Sequence, residues 1–251
     1  MDDAVPSHYE GVWRRTLLTA PGVRDDGTLV LWMQTAQWHA DLRIPRDRPD
    51  CSGRRSLADC SRTQLLGLLR QEGFAGITTV DGAICEWHRR LDYRPTGRRD
   101  LGSMAFSSAF DAIDEEGVES DYVERWEREP NGEGRQGVAF VPDGPTARLW
   151  LFVGTCFMRL RERALHADAA RIAWQRVQDG SAHDDELRRL ADFEISFGTI
   201  VQDRGRIVHS TLPWLEGEQV ELPAPADSAR GEAEHVAAMI EKPAPPPAAY
   251  P

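Results

Sequence analysis

The stretch VLWMQTAQWHADLRIP, Val30 to Pro45, decides the reading of this chain. Two apolar runs meet at a turn. His39, Asp41 and Arg43 then alternate with Trp38, Ala40, Leu42 and Ile44. A β-strand points successive side chains to opposite faces, so the polar row shares one face and the apolar row the other. In an ordinary antiparallel sheet the polar face meets water. In a barrel with a polar interior the same row lines a pocket, and the Asp41 carboxylate orients Arg43 or His39 toward a ligand. Both readings are open on alternation alone.

Working outward, strand signals dominate. YEGVWRRTLL, GTLVLWMQT and WHADLRIP are runs of aromatic and β-branched residues punctuated by Gly, Asp and Pro, as expected of an antiparallel meander. SRTQLLGLLRQEG differs: Leu65, Leu66, Leu68 and Leu69 form an apolar stripe at helical spacing, with Ser61 as N-cap and Gly73 as stop. Strands resume with FAGITTV, a turn at Asp81–Gly82, and AICEWHRRLDY. LGSMAF, SAFDAIDE, SDYVERWERE and GVAFVP follow, then the long run ARLWLFVGTCFMRLRERA. HADAARIAWQRV reads as strand or helix, with strand favoured from Arg171 on. DDELRRLAD reads as a short helix. FEISFGTIVQ and GRIVHSTLP read as a closing hairpin around Asp203–Gly205.

Roughly a dozen short strands with one or two short helices point to a mainly β protein built on an antiparallel barrel. A β-sandwich is the alternative. The folded unit is expected over residues 8–222, with a subdivision near 135–145. From 223 to 251 the chain is Pro/Ala-rich and reads as a flexible tail.

Composition narrows the function. The 251 residues are 41% hydrophobic and carry a formal net charge of −11, which argues against a nucleic-acid partner. No apolar run reaches the roughly 20 residues needed to span a bilayer, and the acidic start MDDAVPSHYEG lacks the apolar core of a secretory signal. A cytoplasmic location is expected. No CxxC, HxH or HExxH spacing occurs among the four cysteines and seven histidines, so neither a metal nor another cofactor is expected. The cysteines are expected to be free thiols. GxSxG, P-loop and GxGxxG patterns are absent.

The order of motifs resembles a family of calycin-like proteins built of two lipocalin-like barrels and typified by a yeast kinase-interacting protein of unknown function. The likeness rests on LRIP after the third strand, GAICEWHR after a helix, DYVERW, LFVGTCFMRLRER and FEISFGTIV, and spans most of residues 8–211. It implies a calycin-like barrel or two barrel halves, and it implies no reaction.

Two further strands carry mixed faces. In AICEWHRRLDY, Cys85, Trp87 and Arg89 oppose Glu86, His88 and Arg90. In SDYVERWERE, Tyr122, Glu124 and Trp126 share a face. Two aromatics outvote one carboxylate in choosing the interior, so Glu124 is expected inside. There it is either neutral or paired, and its expected partner is Arg43 or Arg89. The candidate ligand-binding residues are therefore His39, Asp41, Arg43, Trp87, Arg89, Tyr122 and Trp126. The candidate proton-transfer groups are Glu124 and His88. Three functions fit: binding of a small hydrophobic or aromatic molecule in a barrel cavity; a cofactor-free acid/base enzyme such as an isomerase, hydratase or decarboxylase; or a protein-interaction module without a ligand.

Overall fold

The computed structural model describes residues 4–143, 146–165 and 167–223. The Pro/Ala-rich segment, apart from Pro223, lies outside these. The first half of the chain supplies β1 (Gly11–Ala20), β2 (Val23–Asp25), β3 (Leu29–Gln34), β4 (Trp38–Ile44), β5 (Glu72–Asp81), β6 (Ile84–Asp92), β7 (Leu101–Phe106), β8 (Ala112–Gly117) and β9 (Val123–Arg128). From β3 to β9 each strand pairs antiparallel with the next. β9 returns to pair with β1 over Trp13–Thr19, which closes an eight-stranded barrel; β2 is a short flap on the end of β1. Eight strands leave an interior about wide enough for side chains to fill.

The second half supplies β10 (Gln136–Asp143), β11 (Thr146–Val153), β12 (Cys156–Arg161), β13 (Glu194–Val201), β14 (Arg204–Ser210) and β15 (Gln219–Glu221). They pair in sequence order as an open, six-stranded half-barrel. This sheet neither closes its own barrel nor completes the first. Residues 129–135 connect the two.

The described residues include three α-helices: α1 (Arg62–Leu68), α2 (Ala167–Gln178) and α3 (Asp184–Ala191). α1 starts on the expected cap, where the Ser61 side chain accepts from the Gln64 backbone and the Gln64 side chain accepts from the Ser61 N–H. It ends before Gly73. That glycine lies instead in β5, where a Cβ would sit 2.4 Å from the Asp41 carbonyl oxygen and 2.6 Å from Ile195 Cδ1. α2 corrects the strand reading of residues from Arg171 on. Ala170, Ala173 and Trp174 are its buried residues, at helical and not alternating spacing.

The largest core lies between the two sheets. Trp38, Ala40, Leu42 and Ile44 on the outside of the barrel pack with Leu149, Leu151, Met158, Leu160 and Ile195 of the half-barrel, and with α1 and α3. Burying each large apolar side chain contributes about 1.5–3 kcal/mol. A strand can present that row outward only by turning the other inward. The half-barrel therefore pins His39, Asp41 and Arg43 into the lumen, and the opening row faces the barrel interior.

Candidate functional site: the charged end of the barrel lumen

The lumen is filled in two contrasting ways. At one end Trp13, Trp32, Trp87 and Trp126 pack with Met104 and Ile113. Trp32 is the hub, with ring centroids 6.3 Å from Trp13, 5.6 Å from Trp87 and 5.8 Å from Trp126. The N-terminal segment caps this end. Trp13 Nε1 donates to the Tyr9 carbonyl at 2.8 Å. The Arg128 guanidinium lies 4.0 Å from the Trp13 ring centre and donates to the carbonyls of His8, Glu10 and Phe110.

The other end is ionic. Arg15 on β1 donates to Glu124 Oε1 on β9 and to Asp25 Oδ2 on β2, each at 2.6 Å. Arg43 Nε donates to Asp41 Oδ1 at 2.7 Å. Arg89 donates to Asp100 at 2.5 Å and to Asp92 at 3.3 Å. Its guanidinium carbon lies 3.6 Å from the centre of the Phe74 ring, with that of Arg43 at 5.4 Å. Asp41 and Glu124 are buried, whereas the side chains of Arg43 and Arg89 keep 23% and 24% of their surface exposed. These two arginines therefore mark the mouth. A depression of about 590 Å³ with Arg24, Thr28, Arg46 and Arg70 in its wall adjoins it at Asp25.

A bulge in β6 builds this charge. Ala75 pairs with Leu91 and Gly76 with Arg89, which leaves Arg90 as the extra residue. The side-chain parity flips there. Arg89 and Asp92 both face the lumen, while Leu91 joins the core outside.

Beneath the mouth two carboxylic acids face each other. Glu115 on β8 stands directly opposite Glu124 on β9. Glu115 Oε1 lies 2.7 Å from the Tyr122 hydroxyl, and Oε2 accepts from Trp126 Nε1 at 2.9 Å. Gly102 on β7 makes room, since a Cβ there would lie 2.8 Å from the Glu115 carboxyl. Burial, and then the charge of Glu124, push the Glu115 carboxyl up to about 8. At neutral pH it holds a proton. Burial also raises Glu124, against the pull of Arg43 and Arg15.

At mid-depth His39 Nδ1 and Thr78 Oγ1 lie 3.0 Å apart, and the Thr78 hydroxyl donates to Gln34 Oε1 at 2.8 Å. Burial, with the Arg89 charge second, holds His39 well below its ordinary value, so the ring is neutral.

Of the residues singled out from sequence, His39, Asp41, Arg43, Trp87, Arg89, Glu124 and Trp126 face the lumen, and the Tyr122 hydroxyl reaches Glu115 within it. His88 does not join them. It lies on the outer face of β6, half-exposed, with Nε2 2.9 Å from Thr79 Oγ1. Glu124 is inside as expected, but the arginine bonded to it is Arg15, not Arg43 or Arg89. Sequence reading missed Arg15, Asp25, Phe74, Asp92, Asp100 and Glu115. Alternation held a signal for two of them: Trp13–Arg15 and Ile113–Glu115 repeat the aromatic- or apolar-plus-charge pattern that flagged Glu124.

Among the described residues no group of three or more His, Cys, Asp or Glu side chains is placed to hold a metal ion, and no helix is long and apolar enough to cross a membrane. No family model and no curated protein matches the sequence. The structure is similar to the crystal structure of YLR301w, an uncharacterized protein from Saccharomyces cerevisiae. The TM-score is 0.51 at 10% identity, over 88% of this chain and 91% of that one. At that identity the likeness shows the fold alone.

Proposed function

We propose that the charged end of the lumen binds a small aromatic molecule carrying a basic group. One observation carries this reading: the same barrel is filled at one end by apolar rings and at the other by nine ionisable side chains. Buried ion pairs contribute less stability than well-packed apolar groups of similar volume. The tryptophan end is the apolar solution, so stability alone gives no reason for the ionic one. Perturbed titratable groups beside a concavity, here the depression that borders Asp25, point toward a functional site.

The charge balance selects the guest. Arg15, Arg43 and Arg89 face Asp25, Asp41, Asp92, Asp100 and Glu124, with Glu115 neutral. That leaves an excess of two negative charges, which an ammonium or amidinium group offsets. Phe74 lies buried beneath the Arg89 guanidinium, so an aromatic body that displaces this arginine meets a ring face. The closed, sequentially paired barrel supports the calycin-like reading and the net charge disfavours nucleic acid, while a cytoplasmic site of action follows from the sequence reading.

Calorimetry with phenethylamine and phenylacetate tests the proposal. The amine binds and the acid does not, and Asp100→Asn and Glu124→Gln each weaken the amine. Equal binding of the two, or binding of neither, overturns it.

A second reading rests on the Glu115 proton. A buried carboxyl neutral at pH 7 is a general acid in waiting, with Glu124 beside it as base, which suits cofactor-free isomerisation, hydration or decarboxylation. Turnover that is lost in Glu115→Gln while amine binding persists would distinguish enzyme from binder.

A further inference from the structure

A cleft of about 380 Å³ opens beside the tryptophan end of the barrel, away from the charged mouth. Three segments meet around it: the N-terminal cap with His8 and Glu10, the turn between β7 and β8 with Phe110, and the connection to the half-barrel with Glu133. Arg128 ties them together. Its Nη1 donates to the Glu10 carbonyl at 2.7 Å. Its Nη2 donates to the carbonyls of His8 at 3.1 Å and Phe110 at 2.9 Å, and its Nε to that of Phe110 at 3.0 Å. This guanidinium is thereby committed to the backbone.

Phe110 is the unusual member of the wall. Its φ is +56°, a left-handed conformation that a bulky L residue seldom takes. Its N–H donates to the Ser107 carbonyl at 3.0 Å, and its own carbonyl takes two Arg128 bonds, so the backbone is fixed there. The ring stays 46% exposed, with its centroid 4.9 Å from that of His8 and 6.0 Å from that of Phe106. Glycine would close this turn without strain. Strain and an exposed ring both count against folding, and strain that the surroundings hold in place gathers at ligand-binding positions.

Charge selects the occupant. The Glu10 carboxylate accepts from Gln136 Nε2, a neutral donor, and the Glu133 side chain is 68% exposed. Burial, with the Arg128 charge second, holds His8 below its ordinary value of 6.5, so its ring is neutral at pH 7. Two carboxylates against one guanidinium leave the cleft an excess of one negative charge, in a chain of formal charge −11. A free small molecule needs enclosure over most of its surface, which an open cleft does not give; a single side chain presented from outside needs less. A guanidinium suits these walls, since its plane stacks on an aromatic face and its N–H edge bonds carboxylates.

We infer that this cleft docks an arginine side chain of a protein partner, its guanidinium plane against the Phe110 ring and its N–H groups toward the carboxylates of Glu10 and Glu133. The site is separate from the lumen and does not depend on the basic-aromatic reading above.

The probes are acetyl-Gly-Arg-Gly-amide and its citrulline and lysine counterparts, titrated into the full chain labelled with nitrogen-15. Citrulline keeps the shape and loses the charge. The arginine peptide is expected to shift the amide resonances of His8, Glu10, Phe110 and Glu133. The other two bind more weakly, citrulline by about fivefold or more, the scale of exposed ion pairs joined to a surface cation–π contact. Glu10→Gln and Glu133→Gln combined bring the arginine peptide down to the level of citrulline. Phe110→Gly weakens it by a similar factor while Tm stays within about 2 °C of the wild type, because relief of the left-handed strain offsets the lost ring contacts. Equal affinities for arginine and citrulline, or for arginine and lysine, overturn the inference. So do undiminished binding in the carboxylate double variant, shifts confined to the mouth around Asp25 and Asp100, and the absence of any shift. A Tm fall of more than about 5 °C in Phe110→Gly would show a ring kept for packing and overturns it as well.

Discussion

Glu115 and Glu124 stand directly opposite each other across β8 and β9, both inside the barrel, yet only Glu124 accepts an arginine hydrogen bond. Glu115 is left with Tyr122 and Trp126, two uncharged partners. Two carboxylates so placed cannot both ionise cheaply, and the one without the arginine keeps its proton.

The first prediction concerns pH. The folded Glu115 titrates near 8 against an ordinary value of 4.5, so between these limits the folded state holds the proton more tightly than the unfolded state does. Stability is therefore lost as pH rises through the window. His8, His39 and His209 have lowered values and act in the opposite sense at and below the ordinary histidine value of 6.5. The clean range is pH 7 to 9. Thermal unfolding there should show the wild type losing more Tm with rising pH than Glu115→Gln does. Parallel Tm curves for the two would mean that Glu115 is ionised already at pH 7.

Removing the Glu124 charge acts in two places. Glu124→Gln weakens the bond to Arg15, but Asp25 still pairs that arginine, so the loss should be about 1.5–3 kcal/mol, the range for hydrogen bonds to charged groups, and not the larger cost of a stranded charge. The same change removes the like charge facing Glu115 and should move its titration toward the ordinary value. Denaturant titration measures the first effect and carboxyl NMR the second.

The tryptophan end should bear most of the barrel's apolar stability. Trp13 is fully buried and stacks on Trp32. Trp13→Ala should cost about 3–5 kcal/mol, as for other large aromatic truncations. By contrast His88→Ala, on the outer face, should change stability by less than about 0.5 kcal/mol and leave phenethylamine binding intact. A loss of binding in that variant would place the site outside the lumen.

All four cysteines are free and buried, and burial pushes the Cys51 and Cys156 thiols up to about 11. Thiol reagent at pH 8 should react slowly with the native protein and return four thiols once it is denatured without reductant. Two missing thiols would reveal a Cys51–Cys60 bridge.

Much of this architecture was legible because alternation is a strong signal. It assigned the inner and outer rows of β4, put Glu124 beside Trp126, and located most strands. Three things lay beyond it. Barrel closure joins β1 to β9, residues more than a hundred positions apart, and it is this pairing that gives Glu124 its arginine, Arg15. The β6 bulge leaves no mark in composition, so Asp92 was invisible as a lumen residue. In α2, short apolar and charged residues fit either period, and packing of Trp174 settled the helix. The apolar row of β4 became the outer face only because a second sheet covers it, a fact that resides in residues 136–221.

The bulge at Arg90 has a consequence for how this protein can change. Deleting that one residue would restore simple alternation along β6 and still leave Arg89 and Asp92 on the lumen side with Leu91 outside. Straightening the strand with Arg90 kept would instead turn Leu91 in and Asp92 out. The acidity of the mouth is thus set by which backbone unit the sheet skips as much as by the choice of side chains. In-frame loss of the Arg90 codon accordingly preserves the charged lumen, whereas loss of a residue outside the bulge moves the side chains beyond it to the opposite face.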